Sequence, residues 1–214
     1  MRLYLIRHGQ SEENTQPWDG KNTNSPLTEL GHEQARRLAN HLEGRVNFDH
    51  LYISGMQRTR QTASYLEKKL GIDATVEERL REVGNALPDG NAFPDDALPR
   101  YTLGVWGSLS PYLPITEGGE NWMHFRARVG GFIEWVIQQY GEKHTGVQIG
   151  IVCHGGVVEG VFEHVFQKGP VSPLVVHTHN TGVTLMEYLP SDEMPAWWLH
   201  YHNRTTHLED DQIT

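Results

Sequence analysis

The sequence predicts an α/β protein built around a mostly parallel mixed sheet. Short apolar runs at residues 3–6, 51–53 and 147–153 read as strands covered on both faces. Segments with apolar residues at helical spacing lie between them. Strands that alternate with helices are joined by crossovers and therefore pair in parallel. The last two strand candidates, 181–189 and 196–203, have no helix between them, so one of the two runs antiparallel.

The elements follow in order. Leu3, Tyr4, Leu5 and Ile6 form the first strand. Thr28 opens a helix whose buried face is Ala35, Leu38, Ala39 and Leu42. After the strand at Leu51–Ile53, Ser54 is expected to cap a helix with Thr59, Thr62, Ala63, Leu66 and Leu70 inward. Residues 74–77 read as a weaker strand. From Val83 to Gly118 periodicity gives way to Pro88, Pro94, Pro99, Pro111 and Pro114, interleaved with glycines. A long irregular excursion in a compact domain commonly forms a lid or binding loop. Trp122, Phe125, Val129, Ile133, Val136, Ile137 and Tyr140 then mark a long helix, and Val158, Val161, Phe162, Val165 and Phe166 a helix behind the 147–153 strand. The expected organisation is a single domain over 1–214 with a lid-like insertion at about 83–118.

Composition excludes several function classes. Of the 214 residues, 37% are hydrophobic and 21% charged, an ordinary globular balance. The formal charge of −9 disfavours a protein that coats nucleic acid or an acidic membrane, because both require a basic face. No run approaches the ~20 apolar residues of a membrane span. Cys153 is the single cysteine, so no intrachain disulfide is possible. Together with the short apolar stretch before Arg7, this leads to the expectation of a cytoplasmic protein.

The chemistry concentrates at strand ends. Arg7, His8 and Gly9 follow the first strand, Arg58 falls in the first turn of the helix after the second, and His154, Gly155 and Gly156 follow the 147–153 strand. In open α/β sheets ligands bind beyond the carboxyl ends of strands, so these groups should face one crevice. Helix N-termini there favour anions, and an arginine fork matches phosphate oxygens in pairs. Two forks, two imidazoles and helix ends describe a pocket for a phosphoryl group. One neutral histidine can attack phosphorus, a second group can stabilise the equatorial charge, and a carboxylic acid can protonate the leaving oxygen. Glu82 is the leading candidate for that acid and Asp89 a second. The histidines of "HTHN" and "HYH" lack the carboxylate or cysteine companions of a zinc-like site, so neither metal nor cofactor is expected.

The chain resembles the histidine phosphatase superfamily, which includes the cofactor-dependent phosphoglycerate mutases. The matching pieces are "LIRHGQSEEN", "PLTELGHEQARRLANHL", "SGMQRTRQTA", "LRE", "GGENWMHFRARV", "IVCHGG", "NTGVTLMEY" and "NRTTHL", in that order and over most of the chain. The resemblance implies a three-layer α/β/α sandwich, His8 as phosphoryl acceptor, and Arg7, Arg58 and His154 around the phosphate. It further implies that Asn14 contacts the phosphoryl group and that Glu82 donates the proton; Gly155 belongs to the substrate-binding set. The stretch after Glu82 departs from the family's aromatic and tryptophan-containing pattern, which keeps Asp89 open as the acid. Between 83 and 118 Arg100 is the only basic residue, which argues against the arginine-rich grip of a mutase. The expected function is a metal-independent phosphomonoesterase acting through a phosphohistidine on His8, with a small-molecule phosphate monoester as its partner. A mutase, or a silent binding domain of the same fold, is the alternative. Tyr101, Trp106 and Tyr112 are candidates for stacking on substrate, and His177 or His179 for the pocket mouth. The physiological substrate and the oligomeric state are not legible in the sequence.

Overall fold

The computed structural model describes residues 1–17, 19–102, 110–141, 146–169, 175–191 and 193–214. Its centre is a six-stranded mixed sheet made of β1 (Arg2–Arg7), β2 (His50–Ile53), β3 (Ala74–Val76), β4 (Gln148–Cys153), β5 (Val183–Leu189) and β6 (Ala196–Arg204). The order is β3-β2-β4-β1-β5-β6. β1 lies parallel to β4, and β2 parallel to both β3 and β4, while β5 runs antiparallel to β1 and to β6. β5 is thus reversed relative to β1 and β6 turns back to run parallel to β1, so one of the last two strands is antiparallel, as the missing helix between them predicts.

Alternation along the strands supplies the two faces. In β1, Leu3 and Leu5 enter one core cluster and Tyr4 and Ile6 the other. The first cluster is filled by Trp122, Phe125, Val129 and Phe132 of α4 (Trp122–Val136) and Val157, Val158 and Val161 of α5 (Gly155–Val165). The second is filled by Leu38 and Leu42 of α2 (Glu29–Leu42) and Ala63 and Leu66 of α3 (Gln57–Leu70). A short α1 (Glu12–Thr15) follows β1. Helices on both faces of the sheet make the expected α/β/α sandwich.

Two local expectations are corrected. Ser54 does not cap α3; the N-cap is Met56, and no side chain caps it. The long helix after the excursion is α-helical only to Val136, and Ile137–Gly141 continue as a π-type turn. By contrast Thr28 caps α2 as its type predicts, accepting from the Gly31 N–H at 3.0 Å. Within the excursion the described residues turn inward at Val83, Ala86 and Ile115, all buried. Trp106 falls outside the described residues.

Candidate active site

The carboxyl ends of β1, β2 and β4 open into a cavity of about 570 Å³. Arg7, His8, Asn14, Arg58, Glu82 and Gly155 all line it. Parallel registry puts Arg7 of β1 opposite Cys153 of β4, so the residues that follow, His8 and His154, lie side by side with ring centroids 5.1 Å apart. The loop carrying His8 passes close to α2: a Cβ on Gly9 would stand 2.5 Å from the Gly31 carbonyl oxygen. Glycine is required there by backbone contact.

His8 is buried, and its Nδ1 lies 2.6 Å from the Gly9 carbonyl oxygen. A carbonyl only accepts, so Nδ1 carries the proton and donates it. The lone pair is therefore on Nε2, where it accepts from Arg58 Nε at 3.1 Å. Burial, then the Arg58 and Arg7 charges, hold the His8 pKa well below the ordinary imidazole value. The same causes, in the order burial, Arg58, His8 and Arg7, depress His154. His154 Nε2 pairs with Ser54 Oγ at 2.9 Å, and its Nδ1 is buried with no partner among the described residues. Ser54 Oγ also accepts from the Met56 N–H at 3.4 Å, and it stands two residues before the α3 N-cap.

Arg58 is held by a 3.4 Å ion pair with Glu13 and a 3.3 Å bond to the Thr23 carbonyl. Arg7 donates through Nη1 to the Thr178 carbonyl and leaves a buried Nε without partner among the described residues. Asn14 Oδ1 accepts from Ser11 N and Oγ, each at 3.1 Å, and from Asn180 Nδ2 at 3.3 Å. The amide oxygen is thereby spoken for, and the residue lines the cavity. His154 is the N-cap of α5, which places Gly155 at the first helical position, where an N–H has no intrahelical acceptor.

Glu82 accepts from the Val83 N–H at 2.8 Å and the Gly156 N–H at 3.3 Å. Burial raises its pKa from the ordinary carboxylate value, against the pull of those bonds and of Arg58 and Arg7. Neither neighbouring arginine competes for it: Arg79 pairs with Glu77, and Arg81 with Glu78 and Asp95. Asp89 is corrected as a candidate acid. It is exposed, it bonds Asn91, and those bonds lower its pKa.

Some cavity residues escaped the sequence reading. Glu13 stands inside the quoted "SEEN" but has no periodic signal of its own. Glu159 lies inside an apolar helix, and Thr178 in an aperiodic loop. Glu120 and Arg128 fall within "GGENWMHFRARV" and form a buried ion pair at 2.6 Å. Arg128 also donates to the carbonyls of Arg79, Arg81 and Glu82 at 2.8, 2.7 and 3.1 Å. It therefore clamps the turn that carries Glu82. Of the expected aromatic walls Tyr101 lines the cavity and Tyr112 does not, being 66% exposed. His177 lines it; His179 instead faces the Thr214 carbonyl. Arg100 is exposed and bonds the Asp19 carbonyl. No helix of the described residues is long and apolar enough to cross a membrane.

A doubly covered α/β sheet with two arginines and two neutral histidines at its strand ends defines a phosphatase of the histidine type. More particularly, the chain belongs to the histidine phosphatase superfamily, branch 1, whose family profile matches residues 3–200. It is similar to phosphoglycerate mutase-like protein 4 of Arabidopsis thaliana, at 25% identity over 210 residues that cover 97% of this chain and 87% of the relative. It is also 25% identical over 219 residues to the broad-specificity phosphatase YOR283W of Saccharomyces cerevisiae, covering 100% of this chain and 90% of that one. Among solved structures, the mycobacterial glucosyl-3-phosphoglycerate phosphatase Rv2419c shares the fold with a TM-score of 0.73 at 21% identity, over 94% of this chain and 98% of its own.

Proposed function

We propose that the protein is a phosphomonoesterase that works without a metal ion, through a phosphohistidine on His8. The observation that carries this is the His8 tautomer: Nδ1–H is committed to the Gly9 carbonyl, which leaves the lone pair on Nε2, where Arg58 Nε–H bonds it until a phosphate takes that donor. An incoming phosphate dianion takes the Arg58 and Arg7 guanidiniums as partners. His154, the Asn14 amide and the Gly155 N–H complete its surroundings. Two fixed guanidiniums supply the electrophilic assistance that charge development at phosphorus demands. The described residues of the 83–118 segment, with Val83, Tyr101 and Ile115 on the cavity wall, serve as the lid of a single-domain enzyme.

In the first step Nε2 of His8 forms a bond to phosphorus and the ester P–O bond breaks. The proton of the neutral Glu82 carboxyl passes to the leaving oxygen, and the alcohol departs. In the second step Glu82, now a carboxylate, takes a proton from water. The resulting P–O bond displaces His8, and inorganic phosphate leaves. The acid is regenerated and no external reductant or oxidant is needed.

The direct test is phosphate release from an aryl phosphate in excess chelator. Steady release supports the reading, and release that depends wholly on an added divalent cation removes it. Glu82→Gln should slow alkyl phosphates by about 10²–10⁴-fold and aryl phosphates much less, because aryl leaving groups need little protonation. Equal losses on both would take the proton-donor role from Glu82.

The pH profile follows from the two shifts. His8 reacts when neutral, above its depressed pKa; Glu82 donates when protonated, below its raised pKa. Activity on alkyl phosphates is therefore expected to persist at pH values where a free imidazole would be protonated, and to fall as pH rises through the Glu82 value. Glu82→Gln should abolish the alkaline limb in kcat/KM; a limb that survives unchanged belongs to another group.

A further inference from the structure

The carboxyl of Glu159 has no part in the chemistry above, although it lines the same cavity. It stands four residues after Gly155 on α5, hence on the same helix face and about 6 Å further along the axis. The residue is 5% exposed, and no group among the described residues hydrogen-bonds or ion-pairs with it. Burial, with the Glu163 and Glu82 carboxyls nearby and Lys168 acting the other way, raises its pKa to about 7. A carboxyl so enclosed, open to the cavity and bonded to nothing among the described residues, is a group that a bound cation would stabilise.

The charges of the cavity are unevenly divided. Among the described lining residues Arg7 and Arg58 are the only guanidinium or ammonium groups, against the carboxyls of Glu13, Glu82 and Glu159. The phosphate occupies both guanidiniums. What remains for the alcohol half of a substrate is Glu159, the apolar Val175 and Val176, His177, and Thr178, whose Oγ1 is buried and also unpartnered among the described residues. Among the described lining residues no cation is left over for a second anionic group. A hydroxyl would satisfy one lone pair of Glu159 and leave its charge with Lys168 only at a distance, whereas an ammonium supplies both a hydrogen bond and a charge in contact.

We propose that Glu159 is a specificity residue that receives an ammonium group on the alcohol moiety, which makes small aminoalkyl phosphates the preferred substrate class over neutral or doubly anionic monoesters. The inference rests on the phosphomonoesterase reading. It is tested with 2-aminoethyl phosphate and its near-isostere propyl phosphate, with p-nitrophenyl phosphate as a control for turnover. At pH 8 the phosphate groups of both alkyl esters are dianionic, the amine of the first is an ammonium, and the pH lies above the value of about 7 to which the Glu159 pKa is raised. The wild type should favour the amino ester in kcat/KM by about tenfold or more, and Glu159→Gln should collapse that ratio toward one. Turnover of all three esters with no preference for the amino ester overturns the ammonium subsite and leaves the phosphomonoesterase intact. Failure on all three overturns the phosphomonoesterase. Dissociation constants of the two alkyl esters for the His8→Ala protein, which leaves ligand unconsumed, read the same preference independently of turnover. Equal affinities there also overturn the subsite, whatever becomes of the Glu159 variant.

Discussion

His8→Ala is expected to lower phosphate release by about 10⁴-fold or more, the scale seen when a covalent nucleophile is removed from an otherwise intact site. The loss should appear in kcat, because the guanidiniums that bind the phosphate remain. Wild-type protein quenched in alkali during turnover should carry phosphoryl label on one histidine, and the variant none. The imidazole lines the cavity and belongs to neither apolar cluster, so the variant should keep its far-ultraviolet circular dichroism. A folded His8→Ala protein with substantial residual turnover would transfer the nucleophile role elsewhere, and His154, 5.1 Å away, would be the first place to look.

Arg128→Met carries the largest expected effect on stability. The guanidinium is buried, forks onto both oxygens of Glu120 at 2.6 and 2.8 Å, and holds three backbone carbonyls between Arg79 and Glu82. Its removal strands the Glu120 charge at 1% side-chain exposure. Breaking one side of such a pair costs about 3–5 kcal/mol. In a chain of this length that corresponds to a fall in Tm of about 6–20 °C. Replacing both partners, Arg128→Met with Glu120→Met, should cost less than Arg128→Met alone, because no orphan charge is left. A double variant less stable than the single one would mean that the carbonyl contacts, and not the ion pair, dominate. Where Arg128→Met still folds, alkyl phosphate hydrolysis should fall more than aryl hydrolysis. The Glu82 carbonyl loses its anchor, and the carboxyl that follows from it loses its aim.

Glu82 illustrates how far a sequence can lead. Its type and its place after the third strand candidate select it as an acid. Its protonation depends on burial, and burial depends on Arg128, some 46 residues away, drawing the 79–82 turn against α4. Asp89 looked equally suitable as a residue type, and only its exposure and its bonds to Asn91 separate the two. Ser54 shows the reverse: a good helix-capping residue by type, it stands two residues before the α3 N-cap and pairs with His154, a hundred residues away.

The sequence by itself determined the alternating α/β pattern, one antiparallel strand in the last pair and the addresses of Arg7, His8, Arg58 and His154. These are local properties: apolar runs mark buried strands, and the residue after a parallel strand must lie at the sheet's carboxyl end. Tertiary structure alone decided which nitrogen of His8 keeps its lone pair, since that depends on the Gly9 carbonyl's orientation and on Arg58 arriving from another strand. It also decided that Glu159 faces a cavity rather than the core. Helical spacing places the residue on one face of α5, but it does not state what that face meets, and whether a buried carboxyl is a packing fault or a binding group depends on the space in front of it.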